Sequence, residues 1–343
     1  MRTLTLGPVG ITTHRRTFAV GLIMSAALAA LLVFALMQGQ SNITVLDSLR
    51  AAVGIPVGAP ADFIVGQVRA PRALTAVLVG AMLGLSGAIL QSLTRNPLAS
   101  PDFIGISAGA GAGAVLTLWL VGATSLWVTA AGAAVGALTV AALIFALSFK
   151  RGIVPLRLIL AGIGMGFVAQ AATQYFLTRM DVHEASNALG WLVGSVTGRT
   201  WTHVTVAAAV LAILLPPVLW HARALRTMEM GDDAARALGI RVAAARGMLA
   251  VCSVLLAAGA VAITGPIGFI ALVAPAIALR LTRNAGVTLI PSALMGALLL
   301  LAADQVAQMM PTTVQLPVGV FTAAVGAPYL LWLVWRASRG GPA

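Results

Sequence analysis

Few residues of this chain carry side chains that could do covalent chemistry. Among 343 residues there are nine acids, four histidines and one cysteine. The cysteine, Cys252, lies within an apolar run, and a lone cysteine excludes both a disulfide within one chain and a cysteine-based zinc cluster. The histidines are far apart in sequence and lie near the ends of apolar runs, so we interpret them as boundary residues and not as ligands. They are His14, His183, His203 and His221.

The chain also lacks a sequence motif for binding the phosphates of ATP. Its single lysine, Lys150, occurs in FALSFKRG, without the preceding glycines and the following Ser or Thr of a phosphate-binding loop. No Ser/His/Asp arrangement, carboxylate pair or metal-ligand spacing is evident either. We therefore expect no enzymatic activity, no metal and no cofactor. If the protein moves a solute, the energy must come from ions or from another subunit.

The longest charged segment, residues 223–246, contains five arginines and three acids in a chain with only 9% charged residues. Within it, Gly231 followed by Asp232 and Asp233 favours a helix start, because acids are stabilised in the first helical turn. Gly239 is a natural helix C-cap. The segment predicts a short helix parallel to a membrane, with a charged face in the cytosol where another protein could dock. A solvated surface loop is the alternative.

Coupling of transport to an ion usually requires an ionisable residue within the membrane. The one candidate is Asp304, in the sequence LLLLAADQVAQMM. Counting along this apolar run places Asp304 near its outer end, where a carboxylate can reach water. We therefore expect Asp304 to be an interfacial structural residue and not a proton site, which favours an external motor acting on residues 223–246.

Hydropathy predicts the elements that must position these residues. Hydrophobic residues make up 60% of the chain, and the mean hydropathy is +1.00. A bilayer core about 30 Å thick requires roughly 20 apolar residues of helix. We expect an all-α, polytopic fold with a single transmembrane domain over residues 1–343. The ten expected spans, with nine or eleven as alternatives, are 18–38, 72–92, 103–121, 125–148, 156–178, 203–220, 247–265, 267–282, 289–309 and 317–336.

The distribution of basic residues predicts the orientation, since cytoplasmic loops are enriched in Lys and Arg. With a cytosolic N-terminus, all but five of the 21 basic residues lie on the cytosolic side. The net charge of +12 is then a property of that face and not a nucleic-acid footprint. We expect a multi-pass protein of the cytoplasmic membrane with both termini in the cytosol. The five outer residues are Arg50, Arg69, Arg72, Arg179 and Arg199.

Two of these outer arginines belong to a first, more specific motif. Residues 69–72 read Arg-Ala-Pro-Arg at the start of the second span, and proline is well suited to the first turn of a helix. Arg69 and Arg72 are three residues apart and break the positive-inside pattern. This indicates either a function on the outer face or anchoring of the span by snorkelling side chains.

The second motif, RNPLASPDFIGISAGA at residues 95–110, combines turn signals with a glycine–alanine run that continues to Ala114. Such a run allows very close packing of helices in a membrane. The fragments SPDFIGI (100–106) and GPIGFIAL (265–272) echo one another weakly. The echo would fit an inverted repeat that relates the second-to-fifth spans to the seventh-to-tenth.

Over nearly its whole length the chain resembles the permease subunits of the ferric-siderophore and vitamin B12 (FecCD-type) class of ATP-binding-cassette (ABC) importers. The resemblance implies the fold of type II importer permeases, paired with a second permease, identical or paralogous, around a central pathway. Two cytosolic ATPase subunits would drive it, and a periplasmic or lipid-anchored binding protein would deliver the substrate. The matching motifs are RAPR (69–72), RNPLASPDFIGISAGA (95–110), GDDAARALGI (231–240), GPIGFIALVAP (265–275), LPVGV (316–320) and GAPYLLWL (326–333).

The resemblance also implies functional residues. The docking arginines for the binding protein would be Arg69 and Arg72, and the span 156–178 would line the pathway. The residues that contact the ATPase would be Met230, Gly231, Asp232, Ala235, Arg236, Leu238 and Gly239. The cytosolic gate region would be Lys150, Arg151, Gly152, Ile153 and Val154.

The chain departs from the family pattern at three positions. Ala276 stands where a histidine is usual, Gln315 where a glutamate is usual, and Gln308 where an outer-face arginine is expected. The last two changes remove one negative and one positive charge from the same outer region. We infer that these two positions form an ion pair in relatives and were lost together. Gln308→Arg alone should then harm transport more than Gln308→Arg combined with Gln315→Glu.

The expected function is import of a ferric siderophore, the commonest cargo of this class, with ATP hydrolysed by a separate subunit. Haem and cobalamin remain alternative cargoes, because the sequence TQYFLTRM and the rest of the expected pathway have no substrate-specific chemistry. Two readings from other classes also remain. One is an ion-coupled secondary transporter that uses Asp304, and the other is a membrane scaffold without solute flux.

Overall fold

The computed structural model describes most of the chain, with gaps at both termini and in several connecting segments. Within the described residues the chain is helical apart from an N-terminal hairpin of two antiparallel strands, β1 (Arg2–Leu6) and β2 (Val9–Thr13). The described ranges are 2–6, 9–13, 15–38, 44–52, 54–102, 105–122, 126–148, 155–283, 286–310 and 316–339.

The helices follow one another with short connections. In chain order they are α1 (Arg15–Met37), α2 (Val45–Ala52), α3 (Ala59–Ala61), α4 (Ala70–Thr94), α5 (Ile106–Val121), α6 (Leu126–Ser148), α7 (Pro155–Leu177), α8 (Val182–Leu192), α9 (Trp201–Trp220), α10 (Ala222–Glu229), α11 (Asp232–Ala237), α12 (Val242–Thr264), α13 (Ile270–Thr282), α14 (Leu289–Met309) and α15 (Val318–Arg339). A π-helical segment, Asp62–Arg69, runs directly into α4. Each of the ten apolar runs expected to span the membrane falls on one of these helices.

Six helical stretches of the described chain are long and apolar enough to cross a bilayer, which makes this a multi-pass membrane protein. Three further apolar helices are shorter, and the 13 residues of α13 rise only about 20 Å. The count of ten spans therefore stays a prediction. The six stretches are Arg15–Met37, Asp62–Thr94, Trp127–Ser148, Trp201–Trp220, Val242–Thr264 and Leu289–Met309.

Helix α4 lies at the centre of the bundle and packs closely on α14. Gly80 and Gly84 of α4 lie directly against the backbone of α14 at Gly296 and Ser292. A Cβ atom at either glycine would overlap that backbone, so only residues without a side chain permit the approach.

A second close contact joins α5 to α6. Gly113 of α5 lies against the Gly132 carbonyl of α6, and Gly136 of α6 lies against the Gly109 carbonyl of α5. The close packing predicted for the glycine–alanine run is therefore confirmed, and both helices contribute glycines four residues apart.

The two ends of α4 provide a reference for the rest of the molecule. Its 25 residues rise about 37 Å, which exceeds the thickness of a bilayer core of about 30 Å. We call the end where α4 is followed by Arg95 the Arg95 end, and the end where α4 begins the Arg72 end.

Candidate functional site

The charged segment forms two short helices, α10 and α11, at the Arg95 end. Gly231 separates them with a φ of 118°, and Gly239 follows α11 with a φ of 80°. Both values are ones that residues with a side chain rarely adopt. The helix start predicted at Gly231 and the glycine predicted after the helix are therefore confirmed, although the segment contains two helices where one was expected.

Asp232 ties the start of α11 to two other helices. Its Oδ1 atom accepts a hydrogen bond from Arg95 Nη2 at 2.7 Å and from Arg246 Nη2 at 2.8 Å. Arg95 Nη2 also donates to the Met228 carbonyl at 2.7 Å. The hydrogen bond from Arg246 holds the pKa of Asp232 below its ordinary value, although partial burial opposes the shift. Asp232 thus connects α11 to the end of α4 and to the first turns of α12.

Glu229 makes a second connection, from the last residue of α10. Its Oε1 atom accepts a hydrogen bond from Ser92 Oγ at 2.7 Å. The backbone N–H of Val287 donates to both carboxylate oxygens, at 3.3 and 3.2 Å. The α10–α11 segment is therefore joined to α4, to α12 and to the residues before α14.

Two large apolar side chains of this segment remain in solvent. Met230 is 76% exposed and Leu238 is 68% exposed. Between them, Arg236 Nη1 donates to Asp233 Oδ1 at 2.7 Å, and both side chains are mostly exposed. The α10–α11 segment therefore exposes two apolar and two charged side chains.

The structure separates the seven residues predicted to contact an ATPase into two groups. Ala235 is fully buried inside the chain, and Asp232 is engaged by two arginines of its own chain. These two residues contact the rest of the chain, and Gly231 forms the turn between α10 and α11. The residues at the surface are Met230, Arg236, Leu238 and Gly239.

The two arginines of the RAPR motif have different partners at the Arg72 end. Arg69 Nη1 donates to the Leu36 carbonyl at 3.0 Å, at the end of α1. Arg72 turns to α14, where its Nη2 atom donates to Asp304 Oδ1 at 2.8 Å and its Nε atom lies 3.1 Å from Oδ2. Arg72 is therefore engaged within the chain, with a side chain only 13% exposed.

Asp304 does not reach water, so the expectation from counting along the span was wrong. The residue is 0% exposed. Gln308, one turn further along α14, donates from Nε2 to Asp304 Oδ2 at 2.8 Å. The Arg72 guanidinium and the Gln308 amide replace the water that an ionised carboxylate would otherwise require.

Some predicted residues lie outside the described part of the chain. These include the expected gate region, Lys150–Val154, which directly precedes α7, and Gln315. The lost ion pair inferred for Gln308 and Gln315 thus stays a prediction. Ala276, the third departure, is a half-buried residue of α13.

Sequence reasoning missed the partners of the key acids. Arg95 and Asp232 are 137 residues apart, and Arg72 and Asp304 are 232 residues apart. It also overlooked a further acid, Asp102, between α4 and α5. One signal for Asp102 was available, since it is the single acid between two apolar helices.

A bundle of apolar helices with a buried ion pair between two of them, and with a charged helical segment at one end, is the architecture of a multi-pass membrane protein. The sequence model of the FecCD transport family matches residues 27–336. The chain belongs to this family.

Known relatives agree with this assignment. The permease protein FepG of the ferric enterobactin transport system of Escherichia coli (strain K12) is 42% identical over 276 residues, covering 80% of this chain and 83% of that protein. The permease protein BtuC of the vitamin B12 import system of Yersinia enterocolitica is 38% identical over 284 residues, covering 79% and 82%. A metal-chelate type ABC transporter solved in an inward-facing conformation has a TM-score of 0.80 at 28% identity, covering 93% of this chain and 99% of that chain.

Proposed function

We propose that this chain is the permease subunit of an ABC importer that carries a ferric siderophore across the cytoplasmic membrane. The observation that carries the proposal is family membership over residues 27–336. Similarity to an enterobactin permease at 42% identity favours an iron chelate as cargo. The chain has no phosphate-binding motif of its own, so ATP would be hydrolysed by separate subunits.

The ATPase subunits would dock on the α10–α11 segment, with the Arg95 end and both termini in the cytosol. Met230 and Leu238 supply exposed apolar area, and Arg236 with Asp233 supplies charge beside them. Movement of the docked ATPase would reach the bundle through Asp232, whose carboxylate is held by Arg95, directly after α4, and by Arg246 of α12. Most of the driving free energy would enter at this contact, because a ligand shifts a two-state equilibrium only through its differential affinity.

The remaining partners follow from the same proposal. A second permease, identical or paralogous, would complete the central pathway, and Lys150–Val154 would form the cytosolic gate. A periplasmic or lipid-anchored binding protein would dock at the Arg72 end, near Arg69 and Arg72. Since Arg72 already binds Asp304, an acid of that protein would compete with Asp304 for the guanidinium or meet Arg69.

An ion-coupled secondary transporter is less well supported. Its coupling residue would be Asp304, yet this carboxylate is fully buried and accepts hydrogen bonds from Arg72 and Gln308. A coupling carboxylate has to be open to its ion, whereas both oxygens of this one already accept hydrogen bonds from side chains of the same chain. Solute uptake measured without the ATPase, for the wild type and for Asp304→Asn, separates an ABC importer from a secondary transporter. A secondary transporter would still concentrate solute without the ATPase and would lose this activity on substitution.

The test of the proposal is purification of the tagged chain with its bound proteins, followed by reconstitution into vesicles with ATP. We expect an ABC ATPase, a permease partner and a binding protein to co-purify, and uptake of a ferric siderophore to require ATP. Arg236→Glu and Gly239→Pro should abolish uptake while the chain still inserts into the membrane. Uphill uptake by vesicles that contain this chain alone would contradict the proposal.

The cargo is tested with the same vesicles. Ferric siderophores, haem and cobalamin are offered separately at equal concentration. We expect uptake of one ferric siderophore only. Uptake of cobalamin instead would contradict the siderophore as cargo and make this chain a vitamin B12 permease like the Yersinia relative. The proposed mechanism would stay the same.

A further inference from the structure

Four exposed arginines lie where α1 begins and α13 ends, at the Arg95 end of the bundle. Arg16 Nε donates a hydrogen bond to the Leu281 carbonyl at 3.0 Å, which places the start of α1 against the last turn of α13. The backbone N–H of Val287, shortly after α13, binds Glu229 of α10, so this contact lies at the same end as the α10–α11 segment. We call the four residues the arginine cluster, and they are Arg15, Arg16, Arg280 and Arg283.

The chain itself supplies no counter-ion for the arginine cluster. All nine acidic side chains belong to the part of the chain that the structure describes, and none of them forms an ion pair with any of these four arginines. Glu229, at the same end, accepts its hydrogen bonds from Ser92 Oγ and from the Val287 N–H. Four like charges on neighbouring elements repel one another, so an anion from outside the chain would stabilise their arrangement.

Arg280 is held in place by two aromatic rings of α15. Its Cζ atom lies over the ring of Trp332, 4.6 Å from the ring centroid, and 5.6 Å from the centroid of the Tyr329 ring. A cation–π contact needs no hydrogen-bond acceptor, so it orients the guanidinium while N–H donors stay available to another group. Guanidinium groups recognise phosphate oxygens through such donors.

The residues beside the arginine cluster are apolar and exposed. Phe18, in the first turn of α1, is 64% exposed, and Leu281 of α13 is 42% exposed. Tyr and Trp, the residue types that contact Arg280, are enriched at the level of the lipid headgroups in membrane proteins. Charged, aromatic and apolar side chains thus meet as they do at the boundary between headgroups and acyl chains. Helix α1 is the most open side of this region, since only three of its 23 residues are buried, namely Met24, Ala35 and Leu36.

We propose that the arginine cluster binds the phosphate headgroup of an anionic phospholipid in the leaflet at the Arg95 end. The guanidinium groups would donate to the phosphate oxygens, and the acyl chains would lie along the exposed apolar side of α1. Basic residues between transmembrane helices are suited to such headgroups. The site is separate from the α10–α11 segment and from the RAPR motif. It requires only that the chain spans a membrane, so it does not rest on the proposed transport function.

The first experiment measures the affinity of the purified full chain for single lipids. The delipidated protein in detergent is titrated with phosphatidylglycerol or with phosphatidylcholine, and the lipid-bound states are counted by native mass spectrometry. We expect phosphatidylglycerol to bind about tenfold more tightly or better, because several arginines attract its charge. Arg16→Gln combined with Arg280→Gln should reduce this affinity to that of phosphatidylcholine, whereas Arg16→Lys combined with Arg280→Lys should retain most of it. Equal affinity of the wild type for both lipids would overturn the proposal.

The matched control is Arg223→Gln combined with Arg226→Gln. Both arginines are exposed, lie in α10 at the same end of the bundle, and form no ion pair with the nine acids. This variant removes the same charge and should leave the affinity for phosphatidylglycerol unchanged. An equal loss in the two double variants would indicate a general effect of net charge and contradict the site. Displacement of the lipid by excess inorganic phosphate would also contradict it, because that would indicate a site for a free anion.

The second experiment locates the lipid in a bilayer. In a Cys252→Ser background, a fluorophore on Leu281→Cys reports the arginine cluster, and one on Leu147→Cys of α6, which is 64% exposed, is the control. The vesicles contain phosphatidylglycerol or phosphatidylcholine with a nitroxide near the headgroup end of one acyl chain. We expect phosphatidylglycerol to quench the Leu281→Cys label more strongly than phosphatidylcholine does, and both lipids to quench the control label equally.

The difference at Leu281→Cys should disappear when Arg16→Gln and Arg280→Gln are added. Quenching of this label by neither lipid would mean that protein covers the arginine cluster, and the proposal would then be wrong. Neither experiment requires uptake of a solute. A permease that fails to import any ferric chelate would therefore contradict the proposed function and leave the test of the lipid site unaffected.

Discussion

The two ends of α4 carry arginine–aspartate contacts that have nearly the same length and different surroundings. Arg95 Nη2 and Asp232 Oδ1 are 2.7 Å apart, and their side chains are 48% and 30% exposed. Arg72 Nη2 and Asp304 Oδ1 are 2.8 Å apart, and their side chains are 13% and 1% exposed. Water screens the first contact and not the second. Burial, and not distance, therefore decides how much each ion pair contributes to the folding free energy. We therefore expect the Arg72–Asp304 contact, which joins α4 to α14, to be harder to break than the Arg95–Asp232 contact, which joins the end of α4 to α11.

The largest effect is expected for Arg72→Ala. It leaves the Asp304 carboxylate buried without its cation, which costs about 3–5 kcal/mol of folding free energy. Thermal unfolding of the purified protein in nanodiscs measures this loss. Arg50→Ala, at an exposed arginine of α2, is the control and should leave the midpoint unchanged. Replacing both partners by leucine should recover most of the loss, and a double variant no better than Arg72→Ala would contradict the reasoning.

A smaller effect is expected for Gln308→Ala. Asp304 keeps Arg72 but loses the amide donor at 2.8 Å, which leaves a buried carboxylate oxygen partly unsatisfied. The cost should be about 1–3 kcal/mol. The same unfolding measurement tests it, with Gln308→Glu expected to be worse than Gln308→Ala because it places a second carboxylate beside the first. A Gln308→Ala midpoint equal to wild type would show that Arg72 alone satisfies Asp304.

For Asp232→Asn we expect a small loss of folding stability and a large loss of ATP-driven uptake, in contrast to the substitutions around Asp304. Partly exposed ion pairs contribute about 0–1 kcal/mol each, so the unfolding midpoint should change little. ATP-driven uptake should nevertheless fall severalfold, because α11 loses its link to α4 and α12. Asp181→Asn is the matched control, since Asp181 is an exposed acid in the connection between α7 and α8, outside the α10–α11 segment. Equal uptake by the two variants would contradict the role of Asp232.

The smallest effect concerns pH. The pKa of Asp232 is lowered in the folded protein, chiefly by the hydrogen bond from Arg246. The stability that Asp232 contributes is therefore fully present above its unfolded pKa of about 3.9 and is lost as pH falls through the lower folded value. The difference in unfolding free energy between wild type and Asp232→Asn should be constant from about pH 7 to 5 and shrink below about 4. A difference that stays constant below about pH 4, or that grows as the pH falls, would mean that the pKa of Asp232 is not lowered in the folded protein.

The sequence predicted where helices occur more reliably than which helices touch. Hydropathy located every long helix, and the glycines around residues 231–239 predicted the bounds of α11, because both signals are local. The partners of Asp304 and Asp232 were not predictable in this way. A helix that is apolar on all sides gives no indication of which side faces a neighbour. Counting residues therefore gave the position of Asp304 along the span, but not the direction in which its side chain points.

Asp102 illustrates a different limit. The sequence SPD is a typical turn and helix start, and this local explanation was sufficient without a further partner. The sequence did not predict that Ser100 and Ser107 donate hydrogen bonds to the Asp102 carboxylate.

The glycine contact between α4 and α14 has a mechanical consequence. Where two backbones touch at Gly80, Gly84 and Gly296, neither helix can slide along the other without steric overlap. Movement of one helix of the pair is therefore expected to carry the other with it. In the proposed transport cycle, a displacement applied beside Arg95 would then pass along α4 toward Arg72, near the opposite end of its 25 residues.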